Sequence, residues 1–300
     1  MALDYAGARA VAMIVQTGSF EGAARVLNIT QSAVSQRVRN LEDRLGTVLI
    51  QRGQPCTATE AGAWLCRHME HIGMLEEALL EHLPGLANLG DGQRVTLEIA
   101  TNADSLGTWF LPAVAAFANQ SGYLFNIAID DEQHTPDWLR QGRVLAAVTS
   151  LDRPVQGCIV KPLRRLRYQA TASPDFMRRH FPNGVTLEAL AEAPALMFNP
   201  KDNLQQAWVR QVFGQSPALP SHSMPSTQGF VDACRAGLGW GLNPVHLVAD
   251  HVASGALVEL MPGTCFQVPL FWQISRLAAD RLKSLTQVVL AAAEAKLERP

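Results

Sequence analysis

The stretch that most restricts the fold is Ser19-Phe20-Glu21-Gly22-Ala23-Ala24-Arg25-Val26-Leu27-Asn28-Ile29-Thr30-Gln31-Ser32-Ala33-Val34-Ser35-Gln36-Arg37-Val38-Arg39-Asn40-Leu41-Glu42. It spells two short helices around a tight turn. Ser19 can cap the first helix, in which Phe20, Ala23, Ala24 and Leu27 point inward. Asn28 tolerates the left-handed backbone that the turn needs. Thr30 is the next N-cap. Val34, Val38, Leu41 and Leu45 then form one apolar stripe, and Gly46 ends the helix. The opposite flank carries Gln31, Ser32, Ser35, Gln36 and Arg39. A capped helix held this way by a second helix is built to enter the major groove of DNA. Gln pairs with adenine N6 and N7, Ser with several base edges, and Arg37, Arg39 and Arg52 suit phosphates. An ordinary surface hairpin of helices shares the apolar pattern. The two caps and the small Ala23-Ala24 at the crossing favour the DNA reader.

The flanks fit that reading. Residues 5–17 predict a first helix with Ala8, Val11, Ile14 and Val15 on one face. Gly53 and Pro55 between short apolar pieces suit a two-stranded wing over 47–58. Thr59-Glu60 opens a long helix to about Leu83. Its Ala61, Leu65, Ile72, Leu75 and Leu79 make a stripe broken only at His68. This is a seam for a partner helix, with packing against its own chain as the alternative. Pro84-Gly85 and Gly90-Asp91-Gly92 mark a hinge. The expected domains are 1–60 for DNA, 61–90 for the pairing helix and hinge, and 91–300 for the rest.

Charge gives DNA little general help. The net charge is −2, and residues 1–60 hold six Arg against five Asp plus Glu. Such a reader depends on placed contacts and on a second copy of itself. A hydrophobic content of 48% with 17% charged residues excludes a disordered chain. No positive segment leads into an apolar stretch and no apolar run reaches membrane-spanning length. A cytoplasmic protein with no membrane partner is therefore expected. Five scattered cysteines without a C-x-x-C pair read as reduced thiols. Cys66, His68 and His71, with Cys56 upstream, give only a thin case for zinc, so no metal or other cofactor is expected.

Beyond the hinge, strands and helices alternate. Strands are expected over 95–100, 124–129, 144–149, 166–172, 195–199 and 239–242. Helices are expected over 105–119, 136–141, 174–181, 186–192, 203–213, 227–236 and 278–297. This is an α/β arrangement with a mostly parallel sheet. Ligands of such sheets sit beyond the carboxyl ends of strands. That selects Asp104-Ser105, Asp130-Asp131, Thr149-Ser150, Phe198-Asn199 and Ser226-Thr227. Backbone N–H groups at Asp104-Ser105 and the Ser105 hydroxyl suit a carboxylate. Asp104, Asp130 or Asp131 suits a cation. The alternative for Asp104 is that it merely caps its helix. Gly237-Leu238-Gly239-Trp240-Gly241 follows a helix and enters a strand, the reverse of a dinucleotide loop, so a helix C-cap and close packing explain it better.

The run A-A-x-x-L-x-I-T-Q-S-A-V-S-x-x-V-x-x-L-E-x-x-L-G, with Leu49-Ile50-Gln51-Arg52 and Thr59-Glu60-Ala61-Gly62, closely resembles LysR-type transcriptional regulators. Residues 102–112 (Asn102 to Pro112), 180–186 and Leu270-Phe271-Trp272 resemble the arginine/lysine-responsive branch of that family. The resemblance implies a winged helix-turn-helix, a dimerising linker helix, and a two-lobed effector domain like periplasmic binding proteins. The lobes would comprise about 91–161 with 269–300, and about 162–268. It implies bases facing Gln31, Ser32, Ser35 and Gln36, a wing phosphate at Arg52, and an inducer site lined by the strand-end positions with Asn102. Two departures stand out. Branch relatives tend to carry a basic residue where Thr57 stands. They often show Phe-Asp and further acids where this chain has Phe198-Asn199-Pro200-Lys201-Asp202.

The expectation is a homodimeric or homotetrameric regulator of double-stranded DNA, switched when a small molecule, an amino acid such as arginine or lysine, closes the cleft. Alternatives are an inducer-independent architectural or replication-control protein and, more remotely, a solute-binding protein or an enzyme. No G-x-S-x-G elbow, H-E-x-x-H pair or phosphate loop is present, so no catalytic residue is assigned.

Overall fold

The computed structural model describes residues 3–82, 96–130 and 135–299. The chain divides into two compact units, Met1–Val95 and Thr96–Pro300. The expected hinge over 84–92 lies outside the described residues.

The first unit begins with α1 (Tyr5–Thr17), whose N-cap Asp4 accepts from the Ala6 and Gly7 N–H groups. Next come α2 (Phe20–Val26), capped by Ser19, and α3 (Gln31–Leu45), capped by Thr30. Asn28 between them has φ 51°, so the turn uses the left-handed backbone an asparagine tolerates. The hairpin of β1 (Ile50–Gln51) and β2 (Thr57–Ala58) forms the wing, and α4 (Glu60–His82) follows. Ala8, Val11, Ile14, Ala23, Val34, Val38, Leu41, Leu49 and Leu65 build the core. Leu45, expected in the same stripe, is 41% exposed, because it stands on the last turn of α3, past the core beneath Leu41.

The junction of wing and α4 is closely fitted. The Thr59 N–H donates to the Leu49 carbonyl at 3.0 Å and its hydroxyl to the Val48 carbonyl at 2.7 Å. The same hydroxyl accepts from the Gly62 N–H at 3.1 Å, capping the helix. A Cβ at Gly62 would collide with the Leu49 carbonyl oxygen, so only glycine fits. Further along α4, the expected seam divides. Leu65 is buried in the core of its own unit, with Ala61, Cys66 and Met69 packed beside it. Packing within the chain, the alternative, claims this first half, since the helical hairpin supplies an apolar surface at once. Ile72 is half-buried and Leu75 is 69% exposed. The side chain of Leu79, and Leu83, lie outside what is described.

The second unit opens with β3 (Thr96–Thr101), α5 (Ala103–Ser105), a π-helical turn over Leu106–Phe110 and α6 (Leu111–Ser121). The single helix expected over 105–119 is therefore interrupted. The chain continues through β4 (Leu124–Ile129), α7 (Thr135–Arg140), β5 (Ala146–Thr149) and the long β6 (Cys158–Ala172). Then follow α8 (Pro174–His180), α9 (Leu187–Glu192), β7 (Ala195–Met197), α10 (Leu204–Phe213), β8 (Ser221–Ser223) and α11 (Thr227–Arg235). It closes with β9 (Gly241–Pro244), α12 (Val245–Ala253), β10 (Val258–Glu259), β11 (Phe266–Ser275) and α13 (Lys283–Lys296).

The main sheet has the order β10-β6-β11-β5-β3-β4, with β9 also on β6. Among the described residues, β3–β4 and β3–β5 are its parallel pairings and the others are antiparallel. This corrects the mostly parallel sheet expected from sequence. The strands responsible are β6 and β11. Lys161, Arg164, Arg165 and Arg167 break any apolar run in β6, which buries residues regularly only from Leu166 onward. One apolar cluster gathers Ala100, Leu139, Val144, Ala147, Val155 and Cys158, and another Leu196, Phe230, Val231, Cys234, Val248 and Leu257. In the Gly237–Gly241 run, Gly237 has φ 73° after α11, and a Cβ at Gly241 would strike the Phe230 ring. That run is a helix end and a packing contact.

Candidate functional site

On α3 the flank away from the core shows Gln31, Ser32, Gln36 and Arg39 exposed, with Ser35 and Arg37 half-buried. The Thr30 hydroxyl accepts from the Ala33 N–H at 3.2 Å and lies 2.9 Å from the Ser32 Oγ. The Gln36 amide donates to Asn40 Oδ1 at 2.7 Å, one turn on. At the start of the wing, Arg52 is exposed, its guanidinium 5.4 Å from the centre of the Phe20 ring. Glu42 accepts from the Leu49 N–H at 2.7 Å, tying α3 to the wing. Thr57 donates its hydroxyl to Gln51 at 3.3 Å.

In the second unit a cleft forms where β3, β4, β7 and β9 end. Asn102, Asp104, Asp130, Phe198, Asp202, Thr227, Phe230 and Asn243 line it, around a cavity of about 40 Å³. Asn102 caps α5, its Oδ1 accepting from the Ser105 N–H at 3.1 Å. The cap is thus Asn102 rather than Asp104. The Asp104 carboxylate instead accepts from the Tyr168 hydroxyl at 2.9 Å and the Thr227 hydroxyl at 3.2 Å. Asp130 accepts from the Trp138 indole N–H at 3.0 Å, and Lys201 Nζ stands 3.8 Å from its other oxygen. Asp202, 4% exposed, accepts from the Phe198 N–H at 2.8 Å and the Leu204 N–H at 3.0 Å. Asn243, also buried, donates to the Thr171 hydroxyl at 3.0 Å and to Cys234 Sγ at 3.3 Å. Burial pushes the Cys234 thiol up to about 12 against those hydrogen bonds, so it stays protonated and structural.

Five of the expected positions meet in this cleft: Asn102, Asp104, Asp130, Phe198 and Thr227. Ser105 does not line it. Its N–H donates to Asn102, and its hydroxyl is buried with no hydrogen-bond partner among the described residues. Thr149 is fully buried and turns its hydroxyl to the Leu151 N–H at 2.9 Å. Ser150 is not among the lining residues. Asn199 and Ser226 serve local backbone, accepting from Lys201 N–H and Gly229 N–H. Asp131 lies outside the described residues. Sequence reasoning missed Tyr168, Asp202 and Asn243. Asp202 had a signal, an acid two residues ahead of α10, and Asn243 another, a lone amide in an apolar strand.

A winged helix-turn-helix in one unit and an α/β ligand cleft in the other define a DNA-binding regulator with a small-molecule site. Comparison with known proteins gives the particular kind. The bacterial regulatory helix-turn-helix protein model of the lysR family matches residues 7–63, and the LysR substrate binding domain model matches 90–297. The chain belongs to the LysR family of transcriptional regulators. It is 41% identical over 291 residues to the transcriptional regulator LysG of Mycobacterium tuberculosis, covering 97% of this chain and 94% of the relative. The C-terminal domains of a LysR family protein from Agrobacterium tumefaciens share 62% identity and a TM-score of 0.67, covering 69% of this chain and 100% of that one. Full-length LysG from Corynebacterium glutamicum with bound effector Arg shares 37% identity and a TM-score of 0.66, covering 98% and 99%. No helix among the described residues is long and apolar enough to cross a membrane.

Proposed function

We propose that this regulator binds its operator as a homodimer or homotetramer and is switched by an amino acid, arginine- or lysine-like, held in the cleft. The observation that supports the reading is that two carboxylates, Asp104 and Asp130, line one cleft together with Thr227 and Asn243. Carboxylates receive a cationic head, and hydroxyl and amide groups suit the polar end of a zwitterion. LysG with bound arginine supports the same class of ligand. Asn102, Asp104, Asp130, Phe198 and Thr227 are the contacts proposed, with Asp202 holding the rim. The division into lobes near 161/162 and 268/269 is supported by the break in the β6–β11 register between Pro269 and Phe271.

On DNA, Gln31, Ser32, Ser35 and Gln36 read base edges, while Thr30, Arg37, Arg39 and Arg52 serve the backbone. The exposure of Gln31, Ser32, Gln36 and Arg39 on one flank of capped α3, with Arg52 exposed on the wing, supports this. Ile72, Leu75 and Leu79 pair linker helices. The site of action is the cytoplasm, where a bacterial chromosome is read, and the named relatives are regulators rather than enzymes.

Footprinting of the promoter region with and without each of the twenty amino acids tests the switch. Arginine or lysine is expected to alter the protected pattern, and a footprint indifferent to all twenty removes the effector claim. Ser35→Glu is expected to abolish operator binding while sparing the oligomer. Binding by that variant at wild-type affinity removes α3 as the reader.

A further inference from the structure

We infer that Lys201 is a tethered counter-cation that sets how strongly the cleft prefers a cationic ligand over a neutral one. The inference rests on the reading of the cleft as an amino-acid site. The backbone of Lys201 is fixed on both sides. Its N–H donates to Asn199 Oδ1 at 2.7 Å, and its carbonyl accepts from Asn203 Nδ2 at 2.9 Å. The next residue, Asp202, is buried and clasps two backbone N–H groups. The Lys201 side chain, 55% exposed, leans from this rim and brings Nζ to 3.8 Å from Asp130 Oδ1. Asp130 is itself 24% exposed, and its other oxygen is held by the Trp138 indole.

A ligand ammonium or guanidinium bound for Asp130 therefore meets an ammonium already there. It must displace Lys201 and then bear its repulsion nearby, where like charges at such range still interact through water. A ligand with a neutral side chain meets neither cost. Lys201 thus lowers affinity for arginine and lysine selectively, and by a modest factor, because a half-exposed ion pair is weak and screened by salt.

Isothermal titration of the full-length protein with L-arginine, L-lysine and L-glutamine tests this on wild type, Lys201→Gln and Lys201→Arg. In low salt, Lys201→Gln is expected to raise affinity for arginine and lysine, relative to glutamine, by about two- to fivefold. Lys201→Arg keeps the wild-type ratio, and high salt narrows the gain. Equal melting temperatures of the ligand-free proteins show that folding is unchanged. If wild type binds arginine and Lys201→Gln gives the same ratio or a lower one, the counter-cation is overturned and the amino-acid site stands. If no variant binds any of the three ligands, both fall.

Discussion

The Leu49 carbonyl oxygen occupies the space a side chain on Gly62 would need. The same carbonyl accepts from the Thr59 N–H, so wing and α4 meet through one peptide group. Gly62→Ala forces backbone apart and is expected to destabilise the first unit by about 1–3 kcal/mol, as overpacking does. Hydrogen exchange on the full chain checks it. Protection falls across residues 5–73 and is retained across 96–130 and 135–299. Unchanged protection in both units contradicts the fit.

Leu65 and Leu75 stand in one sequence stripe but in opposite environments, one in the core and one 69% exposed. Leu65→Ala is expected to lower stability of its unit by about 2–5 kcal/mol, the usual range for a buried leucine. Leu75→Glu leaves that unit folded and shifts the protein toward monomer in analytical ultracentrifugation. An undiminished oligomer in Leu75→Glu removes this residue from the pairing surface.

Tyr168 and Ser105 divide the polar work beside Asp104 unequally. Tyr168→Phe takes the hydroxyl from Asp104 Oδ2 and is expected to cost about 1 kcal/mol and to weaken effector binding. Ser105→Ala removes a buried hydroxyl that has no hydrogen-bond partner, so stability is held or slightly raised and effector affinity is unchanged. Calorimetric titration of the two variants distinguishes them. A loss of affinity in Ser105→Ala returns that residue to the site.

Partial burial, and then the neighbouring His68 and Arg67, hold His71 below the ordinary imidazole range. The fold favours its neutral form, so below about pH 6.5 the unfolded chain takes up the proton more readily. The contribution of His71 to stability is present above that value and is lost as pH falls through the depressed one. Denaturant midpoints between about pH 7.5 and about pH 5.5 are expected to drop more in wild type than in His71→Gln. Parallel curves exclude this histidine.

Much of the first unit was legible because its rules are local. Ser19, Asn28, Thr30 and Gly46 each impose a backbone condition on neighbours within four residues, and the structure meets every one. Leu65 was harder. Heptad spacing marks an apolar stripe but does not say which surface covers it. In the second unit, Asp104 and Asp130 line the cleft because each follows the end of a strand. Tyr168 and Asn243 were not legible, since each sits inside a strand and comes to the site only through pairing with distant chain. Ser105 shows the same limit of local reading. Asn102, three residues earlier, takes the N–H that sequence logic left open.

β6 and β11 run side by side from Cys158 paired with Ser275 to Tyr168 paired with Phe266, and the ladder is irregular only between Pro269 and Phe271. Pro162 and Pro269, on adjacent strands near that irregularity, bring no N–H to it. The β6–β11 ladder is thus one continuous ribbon with a single crease. Bending of the ladder on ligand binding is expected at that crease, where Pro162 and Pro269 contribute no N–H to hold the strands together. The residues that line the cleft are distinct from Pro162 and Pro269, so exchanging them leaves the crease as it is.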